Sequence, residues 1–246
     1  MPIDPVCTRE VDLRTAHSMK VVDGRGIYFC CADCARAFSA QPEKYQDLNS
    51  HMRLTIGVMG SAANDEPTEA RKTAFDLGAA IASKGFVLIT GACPGLPNEA
   101  ARGAKHLGGH SVGISPALSL HEHLYRYHSP ADAFDVLVYT GSGLMGREVT
   151  NIHSSDMVII LGGRSGTLGE FAIAYDEGKL IGVLQGTGGI TDEIERIIDT
   201  FEKDTGAQLI YSRDPEELVT QLSDEYETRH FRRPSCFCDA AAIGPG

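Results

Sequence analysis

The chain has 246 residues, 42% of them hydrophobic, and a formal net charge of −11. That length suits one large domain, or a medium domain with a small module, and the apolar content is ample for a core. The acidic balance argues against a nucleic-acid surface, and no apolar stretch approaches the ~20 residues of a membrane span.

The start, Met1-Pro-Ile-Asp-Pro5, lacks the basic and apolar regions of a signal peptide. The chain is therefore read as cytoplasmic, and its cysteines as thiols or metal ligands rather than a disulfide framework. Residues 1–48 hold four of the seven cysteines. So short a segment needs a metal, a disulfide or a partner surface to fold. Its pattern is Asp4-Pro-Val-Cys7, then Tyr28-Phe-Cys30-Cys-Ala-Asp-Cys34, then Phe38 and Pro42-Glu-Lys-Tyr45. The i, i+4 spacing of Cys30 and Cys34 puts both sulfurs on one helical face. This pattern resembles the YHS domain, a treble-cysteine metal-binding module, over roughly residues 3–47. The resemblance implies a metal ion on Cys7, Cys30 and Cys34, either Zn(II) or Cu(I), which thiolates favour. Three ligands leave a fourth place, for which His17, Cys31 and the tail pair Cys236 and Cys238 are the candidates. Cys31 points about 100° away from its neighbour on a helix. A small hydrophobic cluster of reduced cysteines is the simpler alternative.

Residues 52–226 then alternate strand and helix signals. Strands are predicted at 54–59, 87–90, 111–114, 136–139, 157–161, 180–184 and 209–211. Helices are predicted at 67–84, 98–107, 143–153, 167–177, 190–205 and 215–226. Most of the strands are short and continuously apolar, as in a parallel sheet covered on both faces. Strand-then-helix repetition implies right-handed crossovers, hence an α/β, doubly wound, mostly parallel Rossmann-like sheet with the small cysteine-rich module before it. The stretch 227–246 mixes charge, Pro, Gly and Ala and is expected to be a flexible tail.

The loops after the strands carry the chemistry, because ligands of open α/β sheets sit at the carboxyl ends of the strands. After the first comes Gly60-Ser61. After the second comes Thr90-Gly91-Ala-Cys-Pro-Gly95-Leu-Pro-Asn98-Glu99. The next loop holds His121 and His123, where packing or exposure is the plainer account. After the fourth comes Thr140-Gly-Ser-Gly-Leu-Met-Gly-Arg147. The fifth strand runs into Leu161-Gly162-Gly163-Arg164-Ser165-Gly166-Thr167-Leu-Gly-Glu170. Glycines there let the backbone bend and approach a ligand, and a helix starting near Thr167 aims free N–H groups and a partial positive charge at the same corner. Such a corner binds phosphate or carboxylate. Asn98 and Glu99 begin a helix after a glycine turn, where capping explains them as well as ligand contact does. Cys93 is weighed as a catalytic thiol, but no His or acid partner for it is legible. No Gly-x-Gly-x-x-Gly follows the first strand and no Walker A motif occurs, which disfavours an ordinary NAD or ATP site.

Together these loops resemble the LONELY GUY-like superfamily over about residues 52–225, with the closer match to the branch that includes molybdenum-cofactor carrier proteins. The resemblance implies a Rossmann-like fold and a homodimer. The enzymatic branch removes the base from nucleoside 5′-monophosphates, and its hallmark is Pro-Gly-Gly-x-Gly-Thr-x-x-Glu with an upstream Arg. Here Leu161 replaces the Pro, Arg164-Ser165 lengthens the loop by one residue, and Glu148 follows Arg147 where the enzymes have Lys. Gly166, Thr167 and Glu170 match. The resemblance implies that Gly162, Gly163, Gly166 and Thr167 hold the phosphate, that Glu170 stabilises positive charge on the ribose and orients water, and that Arg147 clamps the phosphate or fixes Glu170. No cofactor is needed for that chemistry. The alternative is a non-catalytic carrier or sensor of a phosphorylated cofactor, and a further reading has the cysteine module gate the pocket in response to metal.

Overall fold

The computed structural model describes residues 1–45, 52–201 and 203–232. Cys236 and Cys238, and most of the expected tail, lie outside the described residues.

The first module is a hairpin, β1 (Ser18–Val22) and β2 (Arg25–Phe29), followed by helix α1 (Ala32–Ala40). The two-residue turn Asp23-Gly24 has positive φ at both positions, 47° and 67°. This is the turn geometry that matches the right-handed twist of two antiparallel strands. Its core is small: Ile27, Phe29, Cys34 and Phe38.

The second unit is a seven-stranded parallel sheet with helices on both faces. Its elements are β3 (Thr55–Gly60), α2 (Thr68–Ser83), β4 (Val87–Thr90), α3 (Leu96–His106), β5 (Ser111–Ser115), α4 (Leu120–Tyr125), β6 (Val136–Tyr139), α5 (Gly143–His153), β7 (Met157–Leu161), α6 (Ser165–Asp176), β8 (Leu180–Leu184), α7 (Ile194–Ile198), β9 (Gln208–Ser212) and α8 (Pro215–Thr228). The strand order is β6-β5-β4-β3-β7-β8-β9. The chain winds outward from β3 to β6, then returns to place β7 against the other side of β3. That reversal opens a crevice at the carboxyl ends of β3 and β7. Every residue of β7 and β8 is buried, which explains their unbroken apolar runs.

The α/β, doubly wound expectation therefore holds, with several boundaries moved. Helix α3 begins at Leu96 rather than 98, because Pro97 fits the first turn, where no amide donor is needed. Helix α6 begins at Ser165, two residues before the expected start. The stretch 190–205 is not one helix. A 3-10 turn over Gly189–Glu193 precedes the short α7, because Thr191 donates to the Gly162 carbonyl and Asp192 accepts from the Gly186 amide. Those side chains tie the segment to the loops rather than to a helix axis.

The cysteine module packs at the amino ends of β3 and β4. The Leu54 amide donates to the Gly24 carbonyl, and a Cβ on Gly24 would stand 2.0 Å from the Gly85 carbonyl oxygen. The Val21 amide donates to Glu227 at 2.5 Å, Tyr28 meets Phe231 at 6.1 Å between ring centroids, and Arg232 donates to the carbonyls of Ala16 and His17. Residues 227–232, expected as the start of a free tail, are thus packed against the module.

Candidate functional site

Two chemically distinct clusters form, at opposite ends of the sheet.

In the cysteine module, one ligand atom each from Asp4, Cys7, Cys30 and Cys34 lie within 4.8 Å of one another. The Cys30 sulfur is 3.5 Å from that of Cys7 and 3.9 Å from that of Cys34. The fold brings these together because β2 ends at Phe29 and α1 begins at Ala32, so Cys30 and Cys34 flank one turn. Asp4 is fully buried and holds the loop closed by accepting from the amides of Val6 and Cys30, at 2.9 and 2.8 Å. The neighbouring Cys7 thiol pushes the Cys30 thiol up to about 12, and burial pushes Cys34 up as well. Three sulfurs and a carboxylate in contact are mutually repulsive as anions and need a cation to ionise together. This donor set can hold a metal ion. Asp4 is the acid that sequence reasoning passed over. Its signal was the Asp4-Pro-Val-Cys7 run, which puts a carboxylate beside the first thiol. His17 is exposed on the approach to β1 and belongs to no such group.

At the other end, a cleft of about 370 Å³ opens between β3 and β7. Of the residues expected there, Gly60, Ser61, Gly91, Arg147, Arg164, Gly166, Thr167 and Glu170 line it. Among the described residues, none accepts from the amides of Ser165, Gly166 or Thr167, the first turn of α6. Those donors and the helix dipole face the opening.

Arg147 is only 7% exposed, and its Nε has no hydrogen-bond partner. Its guanidinium Nη1 stands 3.9 Å from Glu170 Oε1. Gly91 makes room for it, since a Cβ there would fall 1.2 Å from Nη1. The glycine after β4 is thus explained by a steric fit rather than a turn. Burial pushes the Glu170 carboxyl up to about 7, with the Glu148 charge adding to the rise and the Arg147 guanidinium and Asn151 amide opposing it. Helix α5 carries Arg147, Glu148 and Asn151 on its buried face. Asn151 Nδ2 donates to the Met59 sulfur, while its Oδ1 has no partner. Cys93 lines the same cleft, and burial raises its thiol to about 11, so it is a neutral group there. Glu148 and Asn151 went unassigned in the sequence, although 147 and 151 share one helical face.

Several expected ligand residues sit elsewhere. The Gly162 amide donates to Thr187 Oγ1, and the Gly163 carbonyl accepts from Ile190. These two glycines shape the turn, with φ of 55° and 97°, and neither lines the cleft. Ser165 is exposed at the first position of α6. Gly95, Asn98 and Glu99 line a neighbouring depression instead, because helix α3 leaves the sheet away from the crevice. There Glu99 pairs with Arg71 at 2.5 Å and Arg102 at 3.3 Å. His123 is fully buried between Ser115 Oγ (2.9 Å) and the Pro130 carbonyl (3.0 Å). The carbonyl can only accept, so Nε2 carries the proton and Nδ1 takes the serine hydroxyl. That bridge is structural, and His121 packs at a tilt against Tyr125 at the surface.

Residues 53–219 match the SLOG cluster4 family. An uncharacterized protein of Archaeoglobus fulgidus is 38% identical over 132 residues, 54% of this chain and 80% of that protein. Among solved structures, the molybdenum cofactor binding protein from the phototrophic bacterium Rippkaea orientalis is 29% identical with a TM-score of 0.58, covering 70% of this chain and 97% of its own. The molybdenum cofactor carrier protein of Chlamydomonas reinhardtii is 28% identical with a TM-score of 0.57, covering 70% and 98%. The structural-genomics protein TM1055 is 28% identical with a TM-score of 0.61, covering 70% and 99%.

Proposed function

The chain belongs to the SLOG cluster4 family, and from that premise we propose that its cleft binds a small phosphorylated ligand and serves as a carrier or sensor of a phosphorylated cofactor. The observation that carries this reading is the pairing of free first-turn amides on α6 with a buried, under-partnered arginine opposite them. The first-turn α6 amides and the Arg147 Nε have no acceptor among the described residues, and an anion supplies one. The relatives described as binding or carrying molybdenum cofactor support a pterin-type cofactor as the cargo.

A second reading is hydrolysis of nucleoside 5′-monophosphates, favoured by one observation: Glu170, a buried carboxyl near neutrality, lies beside Arg147 in the cleft. In that reaction the C1′–N bond breaks and its electron pair leaves with the base. Water adds to C1′, Glu170 takes the water's proton, and the base takes a proton from solvent, leaving ribose 5-phosphate and free base. Mass spectrometry of the purified protein, then incubation with a nucleoside monophosphate panel, decides between them. A co-purifying phosphorylated pterin and no released base is the expected result. Base release by wild type that Glu170→Ala abolishes would replace the carrier reading with the enzymatic one. A cleft that neither binds nor turns over any phosphorylated compound would end both.

Two further proposals accompany this. The cysteine module is a YHS-type domain holding Zn(II), to which borderline thiolate and carboxylate donors are suited. It packs against the amino ends of the strands, so metal does not act on the cleft by direct contact. A second copy of the chain covers the apolar face of α5, where Leu144, Met145 and Val149 are exposed. So many exposed apolar groups on one face mark an interaction surface. Light scattering should give twice the mass of one chain, and a Met145→Arg variant should give the monomer. A monomeric wild type would remove the dimer proposal.

A further inference from the structure

Glu148 is a buried carboxylate without a partner. It is 7% exposed, lines the cleft, and among the described residues makes neither hydrogen bond nor ion pair. Its oxygens lie against the first two turns of α6. Oε1 is 3.7 Å from where a Cβ on Gly166 would stand, and Oε2 is 3.3 Å from where one on Gly169 would stand. A Cβ on Gly166 would make ordinary contact with the carboxylate, and one on Gly169 would press on it slightly.

The charges around it do not cancel. Arg147 comes from its own helix, Glu170 from α6, and the neutral Cys93 thiol from the loop after β4. Arg164, at the mouth, is 73% exposed and stands 3.8 Å from Asp65. One buried cation therefore faces two buried acids, and that cation lies beside Glu170. An anion reaching the α6 amides gains their hydrogen bonds but meets the Glu148 charge at close range.

We propose that Glu148 is the specificity-determining residue of this site. It penalises oxyanions that carry no proton and selects phosphomonoesters that present a hydroxyl or ring N–H beside the phosphate. An ionised carboxylate only accepts hydrogen bonds. A ligand with a donor next to its phosphate turns Glu148 from a repulsive neighbour into a partner, whereas sulfate, which carries no proton, offers it none. This rests on the cleft being a phosphorylated-ligand site. Burial raises the Glu148 carboxyl above the usual carboxylate range, so the selection is strongest at alkaline pH and relaxes as the group protonates.

Calorimetric titration of the full chain at pH 8 with sulfate and with AMP tests this. Glu148→Gln keeps the shape and removes the charge. It should tighten sulfate by about tenfold, the scale of relieving one like-charge contact, and leave AMP much less changed, so the preference for AMP shrinks. Glu148→Ala removes the charge by truncation and should move the preference the same way. Wild type that binds AMP, with sulfate affinity unchanged in both variants, overturns the role of Glu148 alone. No binding of either probe by wild type or variants overturns the phosphorylated-ligand reading and this inference with it.

Discussion

Arg147→Ala is expected to weaken AMP binding by about 100-fold, the effect of truncating one member of a buried, charge-assisted contact. The guanidinium lies against Gly91, 3.9 Å from Glu170, with its Nε unpaired. Among the described residues no other cation is buried in the cleft. Its loss also leaves two acids without compensation. Glu170 already sits at about 7, above its ordinary 4.5. A carboxyl raised on folding stabilises the native state fully below its unfolded pKa, and that contribution is lost as pH rises through the folded pKa. For Glu170 the loss runs from about pH 4.5 to about pH 7, and beyond pH 7 once Arg147 is gone. Denaturant unfolding should therefore find wild type and variant close at pH 4, and the variant less stable by roughly 3 kcal/mol at pH 8, the scale of breaking a buried pair. Arg147→Lys keeps the charge without the planar fork, so it should preserve the pH profile better than the affinity. AMP affinity within threefold of wild type in Arg147→Ala would remove the arginine from the site.

The second large effect is expected in the cysteine module. Purified protein should carry close to one zinc per chain by elemental analysis, and Cys30→Ser should carry almost none. Cys30 is the middle donor, nearest to both other sulfurs. Four buried side chains are too small a core to hold so short a segment alone. Structural zinc contributes on the order of 10 kcal/mol in comparable small modules. The variant should therefore become protease-sensitive within residues 1–45. AMP binding should stay within twofold, because the module packs at the amino ends of the strands, roughly 20 Å along β3 from the cleft. Full zinc content in Cys30→Ser would contradict the site. A large fall in AMP affinity would show that the module acts on the cleft after all.

Much of this protein was written locally. The apolar runs of β7 and β8, the glycine punctuation and the alternation of strand and helix are properties of neighbouring residues, and they determined the doubly wound sheet. The same holds for the corner after β7: a strand running into Gly162-Gly163 and then a helix has free first-turn amides wherever it is placed. The spacing of Cys30 and Cys34 likewise kept two sulfurs close, at 3.9 Å, although Cys30 lies before α1 rather than on its face.

Other features depended on distant partners. No local pattern marks Gly91 as the seat of the Arg147 guanidinium, because the two residues meet only when β4 and α5 converge on the crevice. The same convergence puts Glu148 against glycines of α6 and sends Asn98 and Glu99 to a different depression. The pairing of β7 with β8 brings their loops together and takes the Gly162 amide for Thr187, 25 residues on, so a glycine expected to bind ligand instead holds the turn. Sequence by itself determined the backbone of this protein and its reactive residue types, since both follow from short-range periodicity and donor chemistry. Only the tertiary structure decided which charges share the cleft, because burial and charge proximity are properties of the packed sheet and of no segment alone.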